Sequence, residues 1–237
     1  MNKRVNIGSV SIFNMDCMDF MKTCSDNYFD LAIVDPPYGR NEDGGKIRNH
    51  GIVQKNGNIL YSGANAYLKK TWDVVPDTEY FDELFRVSKN QIIFGMNYMP
   101  FALKGGVIVW DKLNDGASQS GAELAYNSLT NKVDVVRYMW RGMMQGKSIG
   151  SLVQNGNKKL NEKRIHPTQK PVILYEWILT QYAKKGFKII DTHSGSGSLA
   201  IACNKHGYEL SACEIDKDYF TDSCNWVECE SRQLEMF

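Results

Sequence analysis

Residues 187–200 read Phe-Lys-Ile-Ile-Asp-Thr-His-Ser-Gly-Ser-Gly-Ser-Leu-Ala: a short apolar run, a turn punctuated by two glycines, then the start of an apolar helix. A strand, a tight loop and a helix in that order pack well only when the helix lies back across a sheet holding the strand, which commits the chain to an α/β architecture. Gly195, Gly197 and Ala200 keep the Gly-x-Gly-x-x-Gly/Ala spacing. The glycines let a ligand approach the backbone, and the small third residue lets the helix pack on the strand. Glu214 follows the next strand-like run, Leu210 to Cys213, about 20 residues past the first glycine, where an acid can accept hydrogen bonds from ribose hydroxyls. A nucleoside-bearing ligand follows. A dinucleotide site of a dehydrogenase uses the same backbone logic, but it usually stands near the start of its domain, whereas this unit stands near the end of the sequence. Asp191, at the end of the strand, offers a second acid suited to a cationic amino-acid group. The plainest alternative is a turn whose aspartate only caps the helix.

The same alternation runs through the whole sequence. Strand-like runs lie at Val10 to Phe13, Leu31 to Val34, Gln91 to Phe94, Val107 to Trp110, Val133 to Tyr138, Lys188 to Ile190 and Leu210 to Cys213. Helical stretches at Cys17 to Thr23, Glu79 to Ser88, Val172 to Lys184 and Ser198 to His206 separate them. Short, continuously apolar strands interleaved with helices predict a doubly wound, Rossmann-like sheet with helices on both faces. A chain of 237 residues fits one such domain over positions 1–237. Two irregular segments, about 39–71 and about 143–164, are rich in Gly, Asn and Lys. Loops of that length in a compact domain usually carry function. Their basic residues, Lys46, Arg48 and Lys55 in the first and Lys158, Lys159 and Arg164 in the second, are candidate contacts to a nucleic-acid backbone; Lys69, Lys70, Lys147 and Lys163 lie nearby.

The second chemical feature is Asp35-Pro36-Pro37-Tyr38, delivered by the buried-strand pattern of Leu31 to Val34. Open α/β sheets bind ligands at the carboxyl ends of their strands. Two consecutive prolines fix the backbone and donate nothing, so the loop presents carbonyl acceptors beside the Asp35 carboxylate. Such an arrangement suits an amine donor. An exocyclic base amine is a weak nucleophile because its lone pair is delocalised into the ring. Hydrogen bonds from its two hydrogens to Asp35 and to the Pro36 carbonyl favour a pyramidal nitrogen, while Tyr38 can stack on a base taken out of the helix. Alone, the tetrapeptide supports no more than a rigid turn.

Composition removes several other classes. With 43% hydrophobic and 23% charged residues and no unbroken apolar run of span length, the sequence predicts neither a membrane protein nor a membrane partner. Met1 to Val10 carries no secretory signal pattern, which predicts a cytoplasmic protein. The six cysteines include no Cys-x-x-Cys pair and no neighbouring histidine at ligand spacing, so no metal site is expected. A net charge of +1 is neutral on nucleic-acid binding, since a basic groove can sit on one face of a balanced molecule.

Taken together, Asp35 to Tyr38 early in the chain, then His166-Pro167-Thr168-Gln169-Lys170-Pro171, then the Asp191 to Ser198 loop, resemble the beta class of DNA amino-methyltransferases, whose motifs run in this permuted order. The resemblance covers nearly the whole chain. It implies the fold of a class I S-adenosylmethionine-dependent methyltransferase, with S-adenosyl-L-methionine as cofactor, and it implies methyl transfer to the exocyclic amine of a base, adenine by preference because Asp opens the tetrapeptide. Cytosine-amine DNA methylation, RNA adenine methylation and an idle DNA-binding module are the alternatives.

By resemblance Asp35, Pro36, Pro37 and Tyr38 are catalytic. Asp16 matches the acidic position at the cofactor's adenine region, Glu214 the ribose ligand, and the His166 to Lys170 run, with His166, Thr168 and Lys170, the motif that closes over its methionine part; Cys17, Asp35 and Ile215 are further cofactor contacts. Asp191, His193, Ser194, Gly195, Ser196 and Gly197 form the loop beneath it. One departure stands out: His193 takes the place of the aromatic in the family's Asp-Pro-Phe-x-Gly-x-Gly. Similar Asp-Thr-His loops resemble those of phage-encoded adenine methylases, so a bacterial or phage-infected cell is the expected setting. Duplex DNA with its target base flipped is the implied partner, and a homodimer is compatible with it. The last five residues, Gln233-Leu234-Glu235-Met236-Phe237, resemble the peptide by which bacterial proteins dock on the replication sliding clamp.

Overall fold

The computed structural model describes residues 3–42, 44, 51–53, 59–61, 67, 69–99, 101–115, 120–141 and 144–234. In chain order they form β1 (Lys3–Ile7), β2 (Val10–Asn14), α1 (Cys17–Lys22), β3 (Leu31–Val34), β4 (Gly51–Val53), β5 (Ile59–Tyr61) and α2 (Thr78–Val87). There follow β6 (Gln91–Phe94), β7 (Gly106–Asp111), β8 (Ala122–Asn127), β9 (Val133–Arg137), β10 (Trp140–Arg141), β11 (Met144–Gln145) and α3 (Val172–Tyr182). The last elements are β12 (Lys188–Asp191), α4 (Ser198–His206), β13 (Glu209–Cys213) and α5 (Lys217–Leu234).

Nine strands form one sheet in the order β1-β2-β13-β12-β3-β6-β8-β7-β9. The five from β2 to β6 run parallel, as their apolar sequences predict. Toward the far edge the sheet turns mixed: β8 inserts antiparallel between β6 and β7, and β9 adds parallel to β7. The β9 run, expected as a buried strand, is instead an edge with Val133 and Val135 exposed. Each central strand is buried on both sides because its residues alternate between two cores. Leu31 and Ile33 face a core shared with α3, α4 and α5, while Ala32 and Val34 face one shared with α1 and α2. The result is a Rossmann-like sheet with helices on both faces.

The connections from the two middle strands position the site. From β3 the chain passes through α2 to β6 on one side; from β12 it passes through α4 to β13 on the other. The carboxyl ends of β3 and β12 therefore flank a topological switch point, where an open sheet leaves a crevice.

The first irregular segment contains the small hairpin β4–β5; the second starts inside the hairpin β10–β11 and contains a 3₁₀ turn at Lys158–Leu160. Lys46, Arg48, Lys55 and the Lys158 side chain lie outside the described residues, as does the end of the clamp-like peptide, 235–237; Gln233 and Leu234 complete the backbone of α5. No helix among the described residues is long and apolar enough to cross a membrane.

Candidate active site

A cavity of about 590 Å³ opens at the switch point. Its walls bring together Asp16 and Cys17 at the start of α1, Asp35 to Tyr38 after β3, His166 to Lys170 before α3, His193 to Ser196 after β12, and Glu214 and Ile215 after β13. Asp191 and Gly197 stand just behind that wall. Asp191 is buried at the end of β12, and its carboxylate accepts the His193 backbone N–H at 3.1 Å. Burial, which outweighs that bond, pushes its carboxyl up to about 8.

Local sequence explains each placement. Asp16 caps α1 by accepting the Met18 N–H at 2.7 Å with one oxygen, and the residue lines the cavity. Gly195 has φ of +52°, a turn that a side chain disfavours, and its N–H reaches Glu214 Oε2 at 2.8 Å. Glu214 Oε1 accepts the Asp216 N–H at the same distance. Burial raises the Glu214 carboxyl to about 7, against the pull of those backbone donors. The run before α3 is pinned from outside: Trp140 Nε1 donates to the Gln169 carbonyl at 3.0 Å, and Gln169 Oε1 accepts the Ile165 N–H at 2.9 Å.

Both cavity histidines are neutral. Burial holds His166 down to about 3 and His193 to about 4. His166 lies between the rings of Trp72 and Tyr219, at centroid distances of 5.0 and 4.3 Å, and its Nδ1 meets Thr168 Oγ1 at 3.1 Å. His193 Nδ1 meets Thr192 Oγ1 at 2.9 Å, and its ring edge packs on Tyr80.

Asp35 sits in a charge network. Its carboxylate accepts the Tyr38 hydroxyl and pairs with the Lys170 ammonium. Lys170 also faces Glu123 of β8 at 3.2 Å, and Glu123 pairs in turn with Lys112. Burial raises the Asp35 carboxyl above its ordinary range despite Lys170. Glu123 goes the other way: burial opposes its charge, yet Lys170 and Lys112 together hold it at about 2. The sequence places Lys170 against the cofactor; the structure also makes it the counter-ion of Asp35.

No motif in the sequence marks residues 72–77, just past the first irregular segment, yet Trp72 through Asp77 form a wall of the cavity. Asp73 accepts the Gly39 N–H at 2.8 Å and the Glu42 N–H at 2.7 Å, which ties the backbone after Tyr38 to this segment. Lys70 pairs with Asp216 and Asp218 at 2.8 and 2.7 Å, so it serves a structural tie where the sequence suggested a free basic residue. A tryptophan followed by acids and a proline in a loop was the signal available. Of the candidate nucleic-acid contacts among the described residues, Lys159 is exposed, whereas Arg164 lays its guanidinium over the Trp140 ring at 4.3 Å.

A family model described as DNA methylase matches residues 71–225, more than half of the chain. The Type II methyltransferase M2.MboI of Moraxella bovis is 26% identical over 221 residues, covering 81% of this chain and 78% of that protein. In structure the chain is similar to the M1.HpyAVI–SAM complex, with a TM-score of 0.54, 18% identity and coverage of 92% and 99% of the two chains. It is also similar to the PvuII DNA methyltransferase (cytosine-N4-specific), with a TM-score of 0.53, 10% identity and coverage of 98% and 96%. These likenesses establish the shared permuted Rossmann-like fold. The early Asp-Pro-Pro-Tyr and the late glycine loop meet across one switch point, and with the family match over residues 71–225 the chain belongs to the DNA methylase family, in the permuted arrangement of its beta class.

Proposed function

We propose that this chain transfers a methyl group from S-adenosylmethionine to the exocyclic N6 amine of adenine in duplex DNA, with the target base turned out of the helix. One observation carries the reading: Asp35, at the carboxyl end of β3, opens on the same cavity as Glu214 and Gly195, which come from the other side of the switch point.

The cavity's donor set fits S-adenosylmethionine. Glu214 and Asp16 offer carboxylates for hydroxyl and amine donors, and Gly195 leaves the backbone bare. Ser194 Oγ and Trp72 Nε1 are buried in the same wall without a hydrogen-bond partner among the described residues, which is costly unless a ligand supplies one. The neutral His166 and His193 add no positive charge against a cationic ligand. When bound, S-adenosylmethionine supplies an electrophilic methyl group on a sulfonium. The protein's part is to orient: Asp35 and the Pro36 carbonyl take the two hydrogens of the amine, and Tyr38 gives the base a face to stack on. Asp at the head of the tetrapeptide favours adenine over cytosine.

Purified protein is to be incubated with S-adenosylmethionine and unmethylated DNA, and the DNA digested to nucleosides for mass spectrometry. N6-methyldeoxyadenosine is expected from the parent, with none from a folded Asp35→Ala variant. N4-methyldeoxycytidine as the sole product would overturn the adenine assignment, and near-parent turnover by Asp35→Ala would overturn the mechanism.

A further inference from the structure

Asp35 has two tasks that conflict. Buried as it is, it needs a cation to stay ionised; to accept an amine, its oxygens cannot be monopolised by that cation. Lys170 is the cation, with its side chain 3% exposed. Its ammonium is divided: one side meets Asp35, the other meets Glu123 Oε2 at 3.2 Å, and the Phe94 ring lies 4.6 Å away. Glu123 lies on β8, outside every motif legible in the sequence, and Lys112 holds it from the far side. Glu123 also lines a second, smaller cavity of about 310 Å³ on the other side of Tyr38, beside Tyr98 and Gly95. The four charges form an alternating row of Asp35, Lys170, Glu123 and Lys112, anchored at the end away from the methyl-transfer cavity.

We propose that Glu123 is a positioning residue for methyl transfer: it draws the Lys170 ammonium partly off Asp35, so that the carboxylate that Lys170 keeps charged can still accept the substrate amine. The proposal rests on the base-amine reading above. The groups facing Asp35 are Lys170 from the run before α3, Glu123 from β8, the Tyr38 hydroxyl from its own loop, Tyr175 from α3 and Asp191 from β12. Of these only Lys170 is a cation; Tyr38 Oη accepts from it at 3.4 Å, and Glu123 is the one other carboxylate among them that pairs with it directly.

Opposite signs follow for two variants. Glu123→Gln lets Lys170 settle fully on Asp35, which lowers Asp35's proton affinity but blunts it as an acceptor. Lys170→Met leaves Asp35 buried beside Glu123 without a cation, which raises its proton affinity.

The test is the pH profile of kcat for transfer of labelled methyl groups to DNA, with S-adenosylmethionine affinity measured in parallel by calorimetry. For Glu123→Gln the acid limb is expected to move down by about one pH unit, with kcat at pH 8 lowered roughly tenfold or more. Affinity for S-adenosylmethionine should stay within about twofold, since Glu123 does not line the larger cavity. Glu123→Asp should restore most of kcat. For Lys170→Met the acid limb should move up. A Glu123→Gln variant that keeps the parental limb overturns the proposal, and so does one whose limb moves while kcat holds, because losing the Glu123 charge lowers the Asp35 carboxyl even when Lys170 does not move. Should Glu123→Gln fail to fold, an unshifted limb in Lys170→Met overturns it equally. Failure of the underlying reading would show separately, as a parent protein that methylates no base amine.

Discussion

Tyr38 occupies its place because residue 95 has no side chain. Gly95 follows β6 with φ of +72°, and a Cβ built there would overlap the Tyr38 ring. The ring is also stacked on Tyr98 at 5.1 Å, with the Arg40 guanidinium 5.0 Å over the far ring. Gly95→Ala would therefore both strain the backbone and push the tyrosine away from Asp35. A displacement of that size at a positioning group costs on the order of 100-fold in turnover. The expected result is a loss of that order in kcat, with calorimetric affinity for S-adenosylmethionine falling much less, since Tyr38 is one of many residues that line the larger cavity. A parental kcat would show that Tyr38 tolerates displacement. In the sequence, Gly95 reads as an ordinary turn after a strand. Its role arises from a ring nearly sixty residues earlier, and no local pattern carries that information. The tetrapeptide, the glycine loop and Glu214 were legible because each places its chemistry at the end of its own strand.

At the scale of elements, the segment 69–77 acts as a strap. It is fastened to α5 by Lys70 on Asp216 and Asp218, to His166 by Trp72, and to the backbone after Tyr38 by Asp73. Its wall of the cavity depends on those fastenings. The Lys70 side chain is 21% exposed, so solvent weakens its ion pairs. Lys70→Ala is accordingly expected to weaken S-adenosylmethionine binding only about three- to tenfold, more at low salt than at high, as read by calorimetry. Unchanged affinity at low salt would show that the strap holds without its lysine. The elements missed in the sequence share a cause. The α5 sequence is polar, and its buried Tyr219, Phe220, Ser223, Cys224 and Val227 mark a helical face with only two strongly apolar aliphatic or phenyl side chains, Phe220 and Val227. Strand β8 is half polar because Glu123 faces a charge network, and β1 is a largely exposed edge. Strands and helices that bury continuous apolar surface were found with nearly their observed bounds.

For the molecule as a whole, the site concentrates buried acids at the centre of the sheet. Asp191 is 5% exposed and titrates near 8, far above an aspartate in an unfolded chain. The unfolded chain ionises this carboxyl around pH 4 while the folded one keeps its proton, so the contribution to stability falls as pH rises from about 4 to about 8 and then levels off. At pH 8 the cost is on the order of a few kcal/mol. Asp191→Asn should raise the melting temperature of the ligand-free protein at pH 8, and raise it less at pH 5. An equal gain at both pH values would place the ionisation elsewhere.

The strand order also dictates when the protein can exist. β3 is fully buried, and its inner neighbour is β12, to which it is joined by hydrogen bonds such as that from Asp30 N to the Lys188 carbonyl at 2.8 Å. A ribosome that has made β3 must complete more than 150 further residues before that partner emerges. Through that interval an apolar strand waits with one side unpaired, the kind of edge that joins to other chains. The nascent polypeptide thus exposes an edge that the finished fold covers, and slowing its synthesis prolongs that exposure.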